Sequence, residues 1–236
     1  MSPDHVLEGA SDAIFKTMTT PVAGLIFDMD GTMVDNMRVH NDAWEVWHQR
    51  HGLVFDRESF FRDTAGRSNR EVVQAVMPAA PEAELDTLGL DKEAIYREIY
   101  QGHVVPMPGL TDLIAACEAH GRLMSVATAA PPENAALVLD GLDLRRHFVT
   151  VVSPSMGYRG KPHPDLFLAA AKAMGLEPAQ CAVFEDAPLG IEAARRAGMR
   201  AVGVTTMLDA GAFDAPNVVF SIADFADVRL RGLLGF

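Results

Sequence analysis

Two aspartates, Asp28 and Asp30, leave an apolar run one residue apart in the stretch LIFDMDGTMVDN (25–36). An unpaired charge on a buried strand is costly, so acids delivered there call for a chemical reason. If the run is a strand, Asp28 ends it and its carboxylate projects from the sheet edge. Asp30 leans over the same space, and Gly31 permits the tight exit that follows. The run CAVFED (181–186) repeats the idea with Glu185 and Asp186 at a second strand end. Carboxylates gathered at one edge repel one another unless a cation sits among them. Oxygen ligands of this kind, with no His or Cys cluster beside them, favour Mg²⁺.

Two further polar elements fit the same edge. SVATAAP (125–131) places Thr128 at a strand end, followed by backbone amides from Ala129 onward that suit an anion. RGKPHPD (159–165) places Lys161 in a loop before a helix. A phosphate dianion accounts for both. Mg²⁺ and Lys161 would then offset most of the negative charge of Asp28, Glu185, Asp186 and the phosphoryl group. Such an arrangement stabilises a transferring phosphoryl group.

The elements that must hold these residues are legible in the hydropathy pattern. Short apolar runs at 22–28, 123–128, 181–186 and 201–206, with weaker ones at 147–153 and 217–221, each end in a polar residue. Between them, 109–121, 163–175 and 189–198 carry apolar residues at three-to-four spacing and end in Gly. Strands apolar on both faces that alternate with helices predict a parallel sheet covered on each side. Ligands of such sheets bind beyond the carboxyl ends of the strands, which is where the polar residues fall.

Residues 37–105 break the alternation. Helical patterns at 37–52, 69–77 and 91–104 follow one another without a strand run, and VPMPG (105–109) reads as the return linker. The predicted organisation is a lead-in over 1–20, with Met18 as an alternative start, a core over 21–36 and 106–236, and a helical cap over 37–105. The expected fold is α/β, a doubly wound Rossmann-like parallel sheet with a small all-helical cap inserted after its first strand. In the first cap helix Val39, Ala43, Val46 and Trp47 form one stripe, with His40 and Trp44 on a distinct face.

Composition narrows the function class. The 236 residues are 49% hydrophobic and 22% charged, an ordinary globular balance. A net charge of −12 opposes nonspecific nucleic-acid binding, which needs basic surface. No run of eighteen apolar residues occurs, so no membrane-spanning helix is expected, and the first twenty residues do not read as a signal or transit peptide. Cys117 and Cys181 lack metal-ligand spacing and read as buried free thiols of a cytoplasmic protein.

The ordered set DMDGT, SVAT, Lys161 before PHPD, and FEDAPLGIEAA resembles the haloacid dehalogenase superfamily over residues 21–225. The helical insert and the KPHPDLF and EDAPLGIEAA forms resemble its β-phosphoglucomutase-like branch and the related sugar-phosphate phosphatases. That resemblance implies roles. Asp28 would attack phosphorus and become an aspartyl-phosphate. Asp30 would protonate the leaving oxygen and then deprotonate the attacking water or hydroxyl. Thr128 and Lys161 would hold phosphoryl oxygens. Asp28, the backbone carbonyl of Asp30, and Asp186 would ligate Mg²⁺, with Glu185 adjoining or ligating. In the cap, His40, Trp44, the loop Gly66-Arg67-Ser68-Asn69 and Lys92 would meet the substrate.

The expected activity is hydrolysis of a small phosphorylated metabolite, a sugar phosphate, by a monomer or weak homo-oligomer. The alternatives are a phosphosugar mutase and a non-enzymatic phosphate-responsive module. Mutases of the branch need a second phosphate site, and Asn69, Ala130 and Pro132 occupy the matching positions without charge. Arg67 and Arg70 lie close enough in sequence to compensate. An acid two places after the nucleophile sets the chain apart from receiver domains and from dehalogenases alike.

Overall fold

The computed structural model describes residues 20–64 and 67–236, so the lead-in up to residue 19 and Gly66 lie outside the described residues. The chain divides into two compact units. One comprises the chain up to Asp35 and Val105–Phe236, and the other is Asn36–Val104.

The first unit is built on a parallel sheet. Its strands are β1 (Gly24–Phe27), β2 (Leu123–Ala127), β3 (Val151–Val152), β4 (Cys181–Glu185), β5 (Arg200–Val204) and β6 (Val218–Ile222), in the order β3-β2-β1-β4-β5-β6. All pairings are parallel, and β1 sits between β2 and β4, with Phe27 opposite Val126 on one side and Phe184 on the other. The chain thus starts in the middle of the sheet and builds outward both ways. The crevice at such a switch point lies at the carboxyl ends of the central strands.

The central strands β1, β4 and β5 are buried throughout, as their two-sided apolar sequences require. Phe27 stacks on Phe184 with centroids 4.9 Å apart and ring planes 10° apart, which locks the register of the two strands that carry the acids. Cys117 and Cys181 are buried free thiols, and burial pushes both up to about 12, out of reach of thiolate chemistry at neutral pH.

In chain order the helices of the second unit are α1 (Met37–Arg50), α2 (Arg57–Thr64), α3 (Asn69–Val76) and α4 (Leu85–Tyr100). Those of the first are α5 (Leu110–Ala119), α6 (Pro132–Gly141), α7 (Asp165–Met174), α8 (Pro188–Arg196) and α9 (Arg229–Leu234). Helices α2, α6 and α9 have no counterpart in the pattern reading. For α6 the reason is its start: Pro131-Pro132 looks like a loop, yet Pro at the first helical position is pre-set for helix. Helix α4 begins six residues earlier than its pattern, running through Gly89. A Cβ there would press on the Asn69 side chain at 3.1 Å, so the glycine lets α3 and α4 approach.

One helical face needs correction. The buried residues of α1 are Ala43, Trp44, Trp47 and His48, whereas Val39 and Val46 are only partly covered. Trp44 therefore shares the buried stripe with Trp47, their rings meeting edge-on at 5.3 Å, and packs on Phe60 at 5.5 Å. Two indoles one turn apart bury far more apolar area than two valines, and that difference rotates the helix.

Candidate active site

Asp28 follows β1 at once and is 6% exposed. Its backbone N–H donates to the Phe184 carbonyl at 3.0 Å, continuing the β1–β4 ladder by one residue. Glu185 ends β4, with Asp186 next, and both are buried. The adjacency of β1 and β4 therefore brings three carboxylates together. One oxygen from each of Asp28, Glu185 and Asp186 lies within 4.8 Å of the others.

Lys161 enters from the loop between β3 and α7. Its Nζ contacts Asp28 Oδ1 and lies 2.5 Å from Glu185 Oε1, with the side chain 9% exposed. The ammonium also lies 5.2 Å from the Phe167 ring centroid, a favourable cation–π arrangement. Arg159 grips Asp165 through two 2.8 Å hydrogen bonds and so brackets the loop that presents the lysine.

The charges do not balance. Three ionised acids and one lysine leave a buried net charge of −2, which a divalent cation of hard-oxygen preference cancels. The protonation behaviour carries the same message. Burial pushes the Asp28 carboxyl up to about 8 against the pull of Lys161, with the Glu185 charge adding to the rise. Burial, then Glu185 and Asp28, hold Asp186 well above the carboxylate range. Burial alone would lower Lys161, but the charges of Asp28 and Glu185 outweigh it and raise it. The residues present therefore fit a divalent cation held by Asp28, Asp186 and Glu185.

Two glycines make the cluster possible. Gly31, at φ +76°, lies so close to Asp186 that a Cβ would sit 2.6 Å from its Cγ. In α8, a Cβ on Gly190 would overlap the Glu185 carboxylate and lie 2.5 Å from its Cγ. Gly→Ala inside a helix ordinarily gains about 1 kcal/mol. Gly190→Ala should instead lower the melting temperature by several degrees and reduce turnover, because Glu185 must swing away from Lys161 and from the Ala187 N–H it accepts at 2.8 Å. Unchanged or increased stability with full activity would refute the close-approach reading.

Thr128 follows β2 and is 1% exposed, its N–H donating to the Val152 carbonyl at 3.0 Å. Its hydroxyl accepts from the Ala130 N–H at 3.0 Å, shaping the turn into α6. Ala129 is exposed at that turn. Asp30 is partly exposed just past Asp28, in a loop closed by hydrogen bonds from the Met33 N–H to the Met29 carbonyl at 2.8 Å and from the Gly31 N–H to the Val34 carbonyl at 2.9 Å.

The sequence reading did not single out Thr32, Gly190 or Thr206. Thr32 is fully buried and donates to Asp186 Oδ1 at 3.3 Å; its place directly after DMDG was the available signal. Gly190 sits inside the FEDAPLG motif. Thr206 carried no signal beyond its strand-end position.

Within the helical unit, the residues expected at a substrate are engaged with one another. Lys92 is 2% exposed, ion-paired to Glu93 at 2.9 Å and 2.8 Å from His40 Nδ1. His40 stacks on Tyr96 at 4.0 Å, and Lys92 Nζ lies 5.3 Å from the Trp44 ring centroid. Asn69 donates to Glu93 at 2.5 Å. Burial works against the Glu93 charge, yet the Lys92 and His40 charges and the Asn69 hydrogen bond bring it down to about 2. Ser68 caps α3 in a reciprocal box with Glu71, accepting from its N–H at 3.3 Å while the Ser68 N–H donates to Glu71 Oε2 at 2.8 Å. Arg67 is exposed. Arg70, a candidate to compensate for a missing phosphate ligand, is ion-paired to Glu82 at 2.7 Å and Asp86 at 3.0 Å.

Comparison with known proteins agrees with this geometry. Residues 22–198 match the model of the haloacid dehalogenase-like hydrolase family. The chain is 40% identical over 185 residues to fructose-1-phosphate phosphatase YqaB of Escherichia coli, covering 77% of this chain and 96% of that protein. It is 32% identical over 188 residues to the β-phosphoglucomutase of Bacillus subtilis, covering 76% and 82%. Among solved structures, a family IA, variant 3 hydrolase from Entamoeba histolytica superposes with a TM-score of 0.84 at 21% identity, over 91% of this chain and 98% of that one. Among the described residues no helix is long and apolar enough to cross a membrane. With its motifs meeting at one sheet edge and a family match across most of its length, this chain belongs to the haloacid dehalogenase-like hydrolases.

Proposed function

We propose that the protein is a Mg²⁺-dependent phosphatase of small sugar phosphates that works through an aspartyl-phosphate on Asp28. The observation that carries this reading is the buried Asp28–Glu185–Asp186 cluster with Lys161 upon it, which in its fully ionised form is two charges short of neutrality. In this reading Asp28 attacks phosphorus, and Asp30 protonates the departing sugar oxygen and then activates water. Thr128 and Lys161 are donors for the phosphoryl oxygens. Bound Mg²⁺ would supply charge stabilisation for the transferring group. The similarity to a fructose-1-phosphate phosphatase supports a phosphorylated sugar as substrate class, and the compartment expected is the cytoplasm.

The test is phosphate release from a panel of hexose, pentose and hexitol phosphates and p-nitrophenyl phosphate, with Mg²⁺ or with EDTA. Release from at least one sugar phosphate, lost in EDTA and restored by Mg²⁺, is expected. Inactivity on the whole panel would overturn the reading.

Metal binding should depend on pH. The folded Asp28 carboxyl, raised to about 8, lies above the ordinary Asp value of about 3.9. The metal-free fold therefore binds an extra proton between roughly pH 4 and 8, and stability from this source falls as pH rises through that window. A metal ligand must shed its proton, so Mg²⁺ should raise the melting temperature more at pH 8 than at pH 6. Equal shifts at both pH values would contradict a protonated Asp28 in the metal-free state.

A mutase is the second reading, favoured by the similarity to the Bacillus β-phosphoglucomutase. Against it, Ala130 offers no polar side chain, and the Asn69 amide and Arg70 guanidinium are already engaged within the helical unit. Glucose 1-phosphate with a bisphosphate primer distinguishes the two: isomerisation outpacing phosphate release would favour the mutase.

A further inference from the structure

The strand-end pair Thr205-Thr206 belongs to none of the four motifs, yet it is tied to the loop that carries Asp30. Thr205 closes onto β6, its N–H and hydroxyl both donating to the Ile222 carbonyl at 2.9 and 3.1 Å. Thr206 turns the other way. Its hydroxyl donates to the Gly31 carbonyl at 2.7 Å, a contact between residues 175 positions apart. Gly31 is the residue after Asp30, and its φ of +76° is where the chain reverses out of β1.

The backbone hydrogen bonds of that loop run mostly within it, among Met29, Gly31, Thr32, Met33 and Val34, while the Met33 carbonyl accepts from the Met107 N–H at 2.8 Å. Side-chain bonds from Thr206 to Gly31 and from Thr32 to Asp186 tie the loop to strand ends of the sheet. The Thr32 tether reaches the metal-ligand cluster and would shift with its occupancy. The Thr206 tether reaches the end of β5, whose residues are buried throughout. It holds the carbonyl of the Gly31–Thr32 peptide and so anchors, one residue away, the short loop from which the Asp30 side chain extends.

We propose that Thr206 is a positioning residue for Asp30, fixing through the Gly31 carbonyl the carboxyl group that passes the proton to the leaving oxygen. The inference rests on the phosphatase reading and on Asp30 as its acid. The Thr206 hydroxyl is committed to Gly31 rather than to the acid cluster, so attack by Asp28 should proceed without it, while leaving groups that need a proton should suffer.

The test compares single-turnover rates of aspartyl-phosphate formation on a sugar phosphate and on p-nitrophenyl phosphate for wild type, Thr206→Val, Thr206→Ala and Thr206→Ser, with Asp30→Ala as reference. Thr206→Val should lower the single-turnover rate on the sugar phosphate about tenfold, the scale of one lost hydrogen bond, with the half-saturating substrate concentration unchanged. On p-nitrophenyl phosphate the loss should stay below about twofold, since that leaving group departs without protonation. Thr206→Ser, which keeps the hydroxyl, should restore the sugar-phosphate rate. Thr206→Ala carries the same expectation if the valine variant does not fold.

Equal losses on both substrates, no loss on either, or a serine variant as slow as valine would overturn the proposal. If Asp30→Ala is selective for poor leaving groups and the hydroxyl-free Thr206 variants are not, this inference alone fails. If Asp30→Ala is itself unselective, the acid role fails and this proposal with it.

Discussion

Asp28→Asn should reduce turnover by about 10⁴-fold or more, with no loss of stability in the metal-free protein. The amide matches the carboxylate in shape but offers no anionic oxygen to attack phosphorus, so the covalent step has no substitute. The stability half follows from electrostatics. Asp28 is buried among acids and held protonated up to about 8, so at neutral pH the amide replaces a carboxyl that is already neutral and adds no repulsion from Glu185 and Asp186. Lys161 retains Glu185 as a partner at 2.5 Å and is not stranded. Turnover and melting temperature measured on one preparation check both halves. An Asp28→Asn protein with more than about one per cent of wild-type kcat would remove Asp28 as nucleophile. A large fall in metal-free stability would show that its charge is paired rather than crowded.

With Asp30 replaced by alanine, the expected loss is about 10²- to 10⁴-fold on sugar phosphates and much smaller on p-nitrophenyl phosphate. A sugar alkoxide is a strongly basic leaving group and cannot depart at neutral pH without a proton in the transition state. A nitrophenolate can. Asp30 is partly exposed, so truncating it opens no fully buried cavity and should leave the fold intact. The diagnostic is the ratio of the two losses in single-turnover kinetics, which isolate formation of the covalent intermediate. Equal losses would reassign Asp30 to binding or structure.

The sequence alone specified the sheet and the polar residues gathered at its edge. Short apolar runs ending in Asp28, Thr128 and Glu185-Asp186, alternating with helices, imply a two-sided parallel sheet, because only such a sheet buries both faces of a strand. Since polar ends of parallel strands share one edge, the convergence of those residues with Lys161 was readable before any coordinate. Local pattern also gave α1, α5, α7 and α8 to within a few residues.

Three-dimensional packing decided the rest. Strand order placed β4 rather than β5 beside β1, and so made Glu185 and Asp186 neighbours of Asp28. Gly31 and Gly190 matter because carboxylates from distant strands press on them. Trp44 proved to be a buried ring packed on Trp47 and Phe60, since ring area outweighed the valine stripe in setting the helix face. Lys92, expected by resemblance to meet the substrate, is buried against Glu93 and His40. The Thr206–Gly31 bond joins residues 175 apart. Periodicity and motif spacing record what each segment must bury. They hold no information on which distant atom a hydroxyl or a glycine will meet, because that depends on the packing of elements the local sequence does not contain.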